Sequence, residues 1–311
     1  MQPLFYSNGK LLITAEYGVL DGALALAIPT PFGQSLEIRF TNRNVLLWES
    51  VDHKGNIWFT ASYNTKTFDI QAYSDRELAE TLAHLLRKTK EMNPNFISEN
   101  TGCKIITKLT FPRNWGLGSS STLINNLAMW AGIDPYELLK DTFGGSGYDI
   151  ACAQYDVPIL YQLKDCKAVI EETTFNPPFR NQLYFVFLNQ KQNSREAIAN
   201  YRKQDFDSDV LVRELSSLTL NFLESKDLSE FEFLMRKHEK LLSKVLGVQP
   251  VKKRLFPDYS GAIKSLGGWG GDFILVTGNE KTPSYFSAKG FDVVIPFDEM
   301  ILENKESINN S

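Results

Sequence analysis

The order of its hydrophobic periodicities constrains this 311-residue chain more than any single motif does. Through the first seventy residues the apolar positions come as short strand-like runs. These are Leu11-Leu12-Ile13, Leu24 to Ile28, Leu36 to Phe40, Val45 to Trp48 and Ile57-Trp58-Phe59, bounded by Asn, Gly and Asp. Asp75 then offers an N-cap and Glu77 a first-turn carboxylate, and Asn93-Pro94 a stop, so a helix is predicted from Asp75 to about Met92. A strand from about Cys103 to Phe111 is followed by a glycine-serine turn and a helix from about Ser119 to Trp130. Shorter helices are predicted from Pro135 and from Tyr148 to Gln154. The aromatic-rich run Leu183 to Leu188 reads as a buried strand. Helical periodicity then holds from Ser194 to Leu246, with a turn at Asp205 to Asp209. Strands return at Phe273 to Val276 and Val293 to Pro296, with a helix near Pro283 to Lys289. Strands, then helices, then strands again predict an α+β chain in two lobes rather than a doubly wound parallel sheet. The loop-rich Asn176-Pro177-Pro178 places the seam between residues 1–176 and 177–311.

Composition narrows the function classes. Thirty-three basic against thirty-seven acidic side chains give a net charge of -4, and the longest basic run is Lys252-Lys253-Arg254. Dedicated nucleic-acid binders show a basic excess instead. The cysteines are odd in number and form no C-x-x-C pair, which disfavours a disulfide framework or structural zinc and suits a reducing compartment. The apolar stretch Leu11 to Ile28 is broken by Glu16 and Asp21, too interrupted to span a bilayer. The N-terminus has no basic segment followed by an apolar one. A cytoplasmic protein with neither a nucleic-acid nor a membrane partner is the expectation. His53, His84 and His238 are scattered and no G-x-S-x-G elbow occurs, which argues against zinc and serine hydrolases.

Four glycine-bearing clusters remain. In Pro112 to Thr122, Gly116, Leu117 and Gly118 lead into Ser119, Ser120 and Ser121 between a predicted strand and helix. The glycines let the backbone approach a ligand, and the free N–H groups and positive dipole end of the helix favour an anion. This is a phosphate cradle by physics; the bland alternative is an ordinary serine-capped helix. It is neither a Walker A loop nor a dinucleotide fingerprint. In Ser265 to Asp272, Gly267, Gly268, Gly270 and Gly271 surround Trp269 just before a strand, more glycine than a plain hairpin needs. In Gly144 to Ala151, Asp149 follows Ser146 and Gly147 and opens an apolar helix. A carboxylate there stays ionised and can accept a hydroxyl proton; a plain helix-start carboxylate fits equally well. In Ser7 to Gly22, Lys10 precedes a buried-looking strand, as a phosphate partner or as a lysine that snorkels to solvent.

Taken in order, these clusters resemble the motifs of the GHMP kinase family, which includes galactokinase, homoserine kinase, mevalonate kinase and phosphomevalonate kinase. Motif one resembles Gly9-Lys10 to Gly22, motif two Pro112 to Thr122, and motif three Ser265 to Asp272. The run Gly147-Tyr148-Asp149-Ile150-Ala151 resembles the one that names the GYDIA subfamily. The resemblance implies a two-lobed GHMP kinase fold, with a ribosomal protein S5 domain 2-like N-terminal lobe and a ferredoxin-like C-terminal lobe. It implies an ATP- and Mg2+-dependent small-molecule kinase, with Gly116 to Ser121 around the nucleotide phosphates and Ser120 as a metal ligand. Asp149 would accept the acceptor's proton, and Lys10 would steady Asp149 and the developing charge. Glu16, Tyr17, Ser146, Gly147, Lys191 and Ser194 would face a small anionic acceptor. Asn8, Ala15 and Trp269 depart from the usual motif residues, and the magnesium-binding glutamate of mevalonate kinase has its equivalent near Leu139, two residues from Glu137. Tyr17, where mevalonate and galactose kinases carry histidine, and Gly270-Gly271-Asp272 resemble phosphomevalonate kinases. The implied acceptor is a mevalonate-pathway intermediate of isoprenoid biosynthesis, phosphomevalonate ahead of mevalonate. A sugar or amino-alcohol kinase of the same fold, or a nucleotide-binding regulator without turnover, stays open, as does assembly as a homodimer.

Overall fold

The computed structural model describes residues 2–97, 102–165, 167–190, 194–269 and 271–302. Contacts divide the chain into two compact units that are not contiguous in sequence. The first comprises Met1–Gly9, Phe32–Arg113 and Leu117–Gln154; the second comprises Lys10–Pro31, Asn114–Gly116 and Tyr155–Ser311. Residues 155–176 therefore group with the C-terminal part of the chain.

The first unit is a sheet covered by helices. Its strands are β1 (Leu4–Leu12, which continues into the second unit), β2 (Ala25–Thr41, entering from it), β3 (Val45–Val51), β4 (Ile57–Asn64), β5 (Ile70–Tyr73) and β6 (Gly102–Leu109). They pair in the order β5-β4-β3-β6-β2, with β1 on β2. β3 runs parallel to β6, whereas β4, β5 and β2 pair antiparallel to their neighbours in that order. Alternation sets the buried face. Leu46 and Trp48 of β3, and Phe59, Ala61 and Tyr63 of β4, point inward at every second position. Against them lie α1 (Arg76–Met92), α2 (Ser119–Ala131), α3 (Pro135–Thr142) and α4 (Tyr148–Gln154), through Leu82, Leu86, Ile124, Leu127, Leu138 and Ile150. Full burial of each such side chain contributes about 1.5–3 kcal/mol. α1 starts where its cap predicts: the Asp75 carboxylate accepts from the Leu78 N–H, and Asn93 ends it.

The second unit contains a hairpin and an antiparallel sheet with helices. β7 (Ile159–Lys164) pairs with Ala25–Ala27 of β2 and with β8 (Lys167–Glu172). β9 (Leu183–Phe187), β10 (Ile263–Ser265), β11 (Phe273–Thr277) and β12 (Val294–Pro296) form a separate sheet in the order β10-β11-β9-β12. The long helical stretch resolves into α5 (Ser194–Tyr201), α6 (Ser208–Glu224) and α7 (Leu228–Leu246). Asp207 and Asp227 cap α6 and α7, each accepting from a first-turn N–H. The architecture is α+β, as the order of periodicities requires.

Candidate functional site

The glycine-serine loop enters α2 by an unusual route. Gly116 and Gly118 have φ of 67° and 88°, in the left-handed region that glycine occupies without penalty. Gly118 is itself the N-cap, so no side chain accepts from the first turn of α2, and that turn contains no carboxylate. α1, α3, α6 and α7 are each capped by an aspartate. Leu117 is buried and anchors the loop, while Ser120 is exposed at the helix start. Ser121 points inward, its hydroxyl donating to the Gly118 carbonyl at 2.9 Å. Thr122 is buried and donates to Gln34 Oε1 at 2.9 Å. The first turn of α2 therefore has no side-chain cap, and its N–H groups lie at the positive end of the helix dipole, a setting that can hold an anion.

α4 packs against α2 in the same unit. Gly147 precedes α4 with φ 84°, and its carbonyl accepts the Ala151 N–H at 3.1 Å. Ser146 is buried, and Asp149 is half-buried in the first turn, its Oδ1 accepting from the Ile150 N–H at 3.2 Å. Its charge is favoured by the dipole of the helix that carries it.

In the second unit Lys10, Gly116, Gly267 and Asp272 line one narrow cleft with Trp115 and Phe273. Lys10 Nζ donates to the Gly116 carbonyl at 2.8 Å. Burial pushes the Asp272 pKa up and the charge of Lys10 opposes the shift. A Cβ at Gly116 would strike the Asp272 carboxylate, so glycine is required there by space as well as by φ. Trp115 is held edge-on to Phe273, ring centroids 5.6 Å apart. The glycine cluster links β10 to β11. There the Gly271 and Asp272 carbonyls accept from the Gln190 and Leu188 N–H groups, on the segment that leads towards Lys191. Gly268 lies in the same turn; Gly270 and Lys191 fall outside the described residues, and Ser194 begins α5. A larger open groove beside Phe175, Pro177 and Phe222 contains none of the motif residues.

Glu16 and Tyr17 sit in a different setting from the cleft. Glu16 is wholly buried, its Oε1 accepting from Lys264 Nζ. His238 Nε2 lies 3.2 Å from Glu16 Oε2, and Glu239 follows it on α7. Burial raises the Glu16 and Glu239 pKa values to about 7, against the lowering effect of the Lys264 charge. Burial and the same charge push His238 well below its ordinary value. Tyr17 stacks on Tyr201, centroids 5.3 Å apart. The sequence marks His238 only as a scattered histidine without a zinc-site partner, and it does not mark Lys264 or Glu239 as site residues. The available signal was a lysine inside the apolar run Ala262-Ile263-Lys264-Ser265-Leu266.

Among the described residues no group of three or more His, Cys, Asp or Glu side chains could hold a metal ion, and no helix is long and apolar enough to cross a membrane. No family model and no curated protein sequence matches the chain. Solved structures match it over nearly its full length. A mevalonate kinase from Methanococcus jannaschii aligns at TM-score 0.70 and 18% identity, over 98% of this chain and 99% of its own. A Streptococcus pneumoniae phosphomevalonate kinase, solved with phosphomevalonate and AMPPNP, aligns at 0.66 and 15%, over 92% and 95%. A D-glycero-D-manno-heptose 1-phosphate kinase from Bacteriodes thetaiotaomicron aligns at 0.67 and 14%, over 97% of each chain. The fold is that of the GHMP kinases. Within that fold the neighbours act on different acceptors, so their likeness defines the architecture and not the substrate.

Proposed function

We propose that this protein is an ATP-dependent small-molecule kinase whose acceptor is phosphomevalonate or mevalonate. The observation that carries the reading is the start of α2: two left-handed glycines, a cap without a side chain and an exposed serine, on a chain with the GHMP kinase fold. The uncapped N–H groups would receive the nucleotide phosphates, and the exposed hydroxyl of Ser120 would be the ligand offered to their metal. Mg2+ bound mainly through phosphate oxygens needs few protein ligands, so the lack of a carboxylate cluster among the described residues is compatible with it. When bound, the ion would neutralise charge on the β- and γ-phosphates.

Lys10 supplies a fixed positive charge for the transferred phosphoryl group, and Asp149 accepts the proton when the acceptor is a hydroxyl. Gly267 and Asp272 line the cleft beside Lys10, and Gly268, Gly270 and Gly271 belong to the same run. Ser146, Gly147, Lys191 and Ser194 are assigned to the acceptor side. With phosphomevalonate the attacking group is a phosphate oxygen, and no hydroxyl proton has to leave.

The test is magnesium-dependent ADP release with mevalonate, phosphomevalonate and galactose as parallel acceptors. We expect turnover with one of the first two, reduced at least 100-fold by Asp149→Asn if mevalonate is used and much less if phosphomevalonate is used. Turnover with galactose alone would move the protein to a sugar kinase. ATP binding without ADP release from any acceptor would make it a regulator.

A further inference from the structure

Four ionisable side chains meet in the second unit outside the narrow cleft. Glu16, Lys264 and His238 are wholly buried and Glu239 is 3% exposed. Burying an ion is unfavourable unless close partners compensate, so the partners define what the cluster does. Lys264 Nζ donates to Glu16 Oε1 and, at 2.9 Å, to the Ser265 carbonyl. Glu239 Oε1 accepts the Ser265 N–H at 2.8 Å, and its Oε2 accepts the Ser265 hydroxyl at 3.3 Å. His238 Nε2 accepts the Ala15 N–H at 3.0 Å. An imidazole nitrogen that accepts carries no proton, so this network assigns the ring proton to Nδ1. Glu16 Oε2 and His238 Nδ1 are buried without a hydrogen-bond partner among the described residues.

Every one of these contacts converges on a strained turn or on the strand before the glycine cluster. Ala15 and Tyr17 have φ of 63° and 62°, positive values that an L-residue adopts only against steric crowding of its Cβ. Such strain persists only where the surroundings over-determine it. Here α7 holds Ala15 through His238, β10 holds Glu16 through Lys264, and α5 holds Tyr17 through the Tyr201 ring. The turn begins three residues after β1 ends, and β1 carries Lys10. On the far side, Lys264 and Ser265 lead directly into Gly267 and Gly268.

We propose that His238 and Lys264 are positioning residues: through Ala15 and Glu16 they fix the turn after β1 and thereby the placement of Lys10, and Glu16 is their anchor rather than a group that touches the acceptor. This rests on the kinase reading for its catalytic consequence, while the holding of the turn stands on geometry alone.

Amide hydrogen exchange on the full-length protein, with kinetics alongside, separates the two. In His238→Leu the Ala15 amide should exchange at least tenfold faster, with the β9 amides unchanged. His238→Gln, which keeps an acceptor, should restore protection. With whichever acceptor the wild type uses, His238→Leu should lower kcat at least tenfold and leave KM for ATP within twofold. A purely structural role would move neither the split nor the rescue. Should His238→Leu fail to fold, the paired Glu16→Leu/Lys264→Met replacement removes both charges and keeps apolar volume; it should retain the melting temperature and lose kcat. Unchanged Ala15 exchange, or faster exchange with unchanged kcat, overturns the proposal. If the wild type phosphorylates nothing, the kinase reading and the catalytic half fall together, and Ala15 exchange still decides whether the cluster holds the turn.

Discussion

Two carboxylates that share one buried ammonium make the fold sensitive to pH. The unfolded chain releases the Glu16 and Glu239 protons near 4.5, whereas the folded chain retains them to about 7. Between those values the folded state binds more protons, so stability falls as pH rises through the window. His238 works the other way, because its folded pKa lies below the ordinary 6.5 and its neutral form favours the fold as pH rises towards that value. Burial of Asp272 adds to the carboxylate side. Glu239→Gln removes one carboxylate while keeping an acceptor for the Ser265 N–H. The melting temperature of this variant relative to wild type should therefore rise between pH 5.5 and 7.5; a difference constant with pH would show that Glu239 does not titrate there. Little of this cluster was legible in the sequence. Glu16 stood out because a motif surrounds it, but Lys264 and His238 lie 248 and 223 positions from their partners in the first seventeen residues. No local pattern records that meeting.

Helix caps show what a local pattern does record. Asp75, Tyr148 to Gln154 and the start of α2 were all readable because capping and periodicity act within a few residues. β2 was not read as one strand, since Pro29 and Pro31 divide its two apolar runs. The structure carries the strand through them, and its ladders to β7 and β6 use Ala25–Ala27 and Gln34–Thr41, neither of which requires a proline N–H. The missing side-chain cap of α2 has an opposite consequence for stability and for binding. A carboxylate introduced by Ser120→Asp interacts favourably with the dipole, by roughly 0.3–1 kcal/mol, and under the proposed kinase function would take the place of a phosphate. The variant should melt no lower than wild type in urea and bind ATP at least tenfold more weakly by calorimetry. Equal ATP affinity would remove α2 from the nucleotide site. Asp75→Ala provides the contrast, with about 1 kcal/mol less stability and unchanged ATP affinity.

At the scale of the whole molecule, the second unit is assembled from three separate stretches, and this decides which fragments can fold. A cut after residue 176 follows the proline-rich loop, yet it separates Lys10–Pro31 and Asn114–Gly116 from the C-terminal residues they pack with. A fragment of residues 177–311 would keep Lys264 and His238 and lose both Glu16 and the Ala15 N–H. It would also lose Thr14, whose hydroxyl bonds to Thr219 at 2.7 Å, and the Leu24 carbonyl that accepts from the same threonine. An ammonium buried without its carboxylate is destabilising by about 3–5 kcal/mol, a large part of the 5–15 kcal/mol that holds a typical domain. The isolated fragment should therefore show no cooperative urea transition by circular dichroism. Lys264→Met within it should recover part of the lost stability, because that substitution removes the stranded charge. Cooperative unfolding of the unmodified fragment would mean that Lys10–Pro31, Asn114–Gly116 and residues 155–176 are dispensable to the second unit, and that the anchoring of Glu16 serves the turn alone.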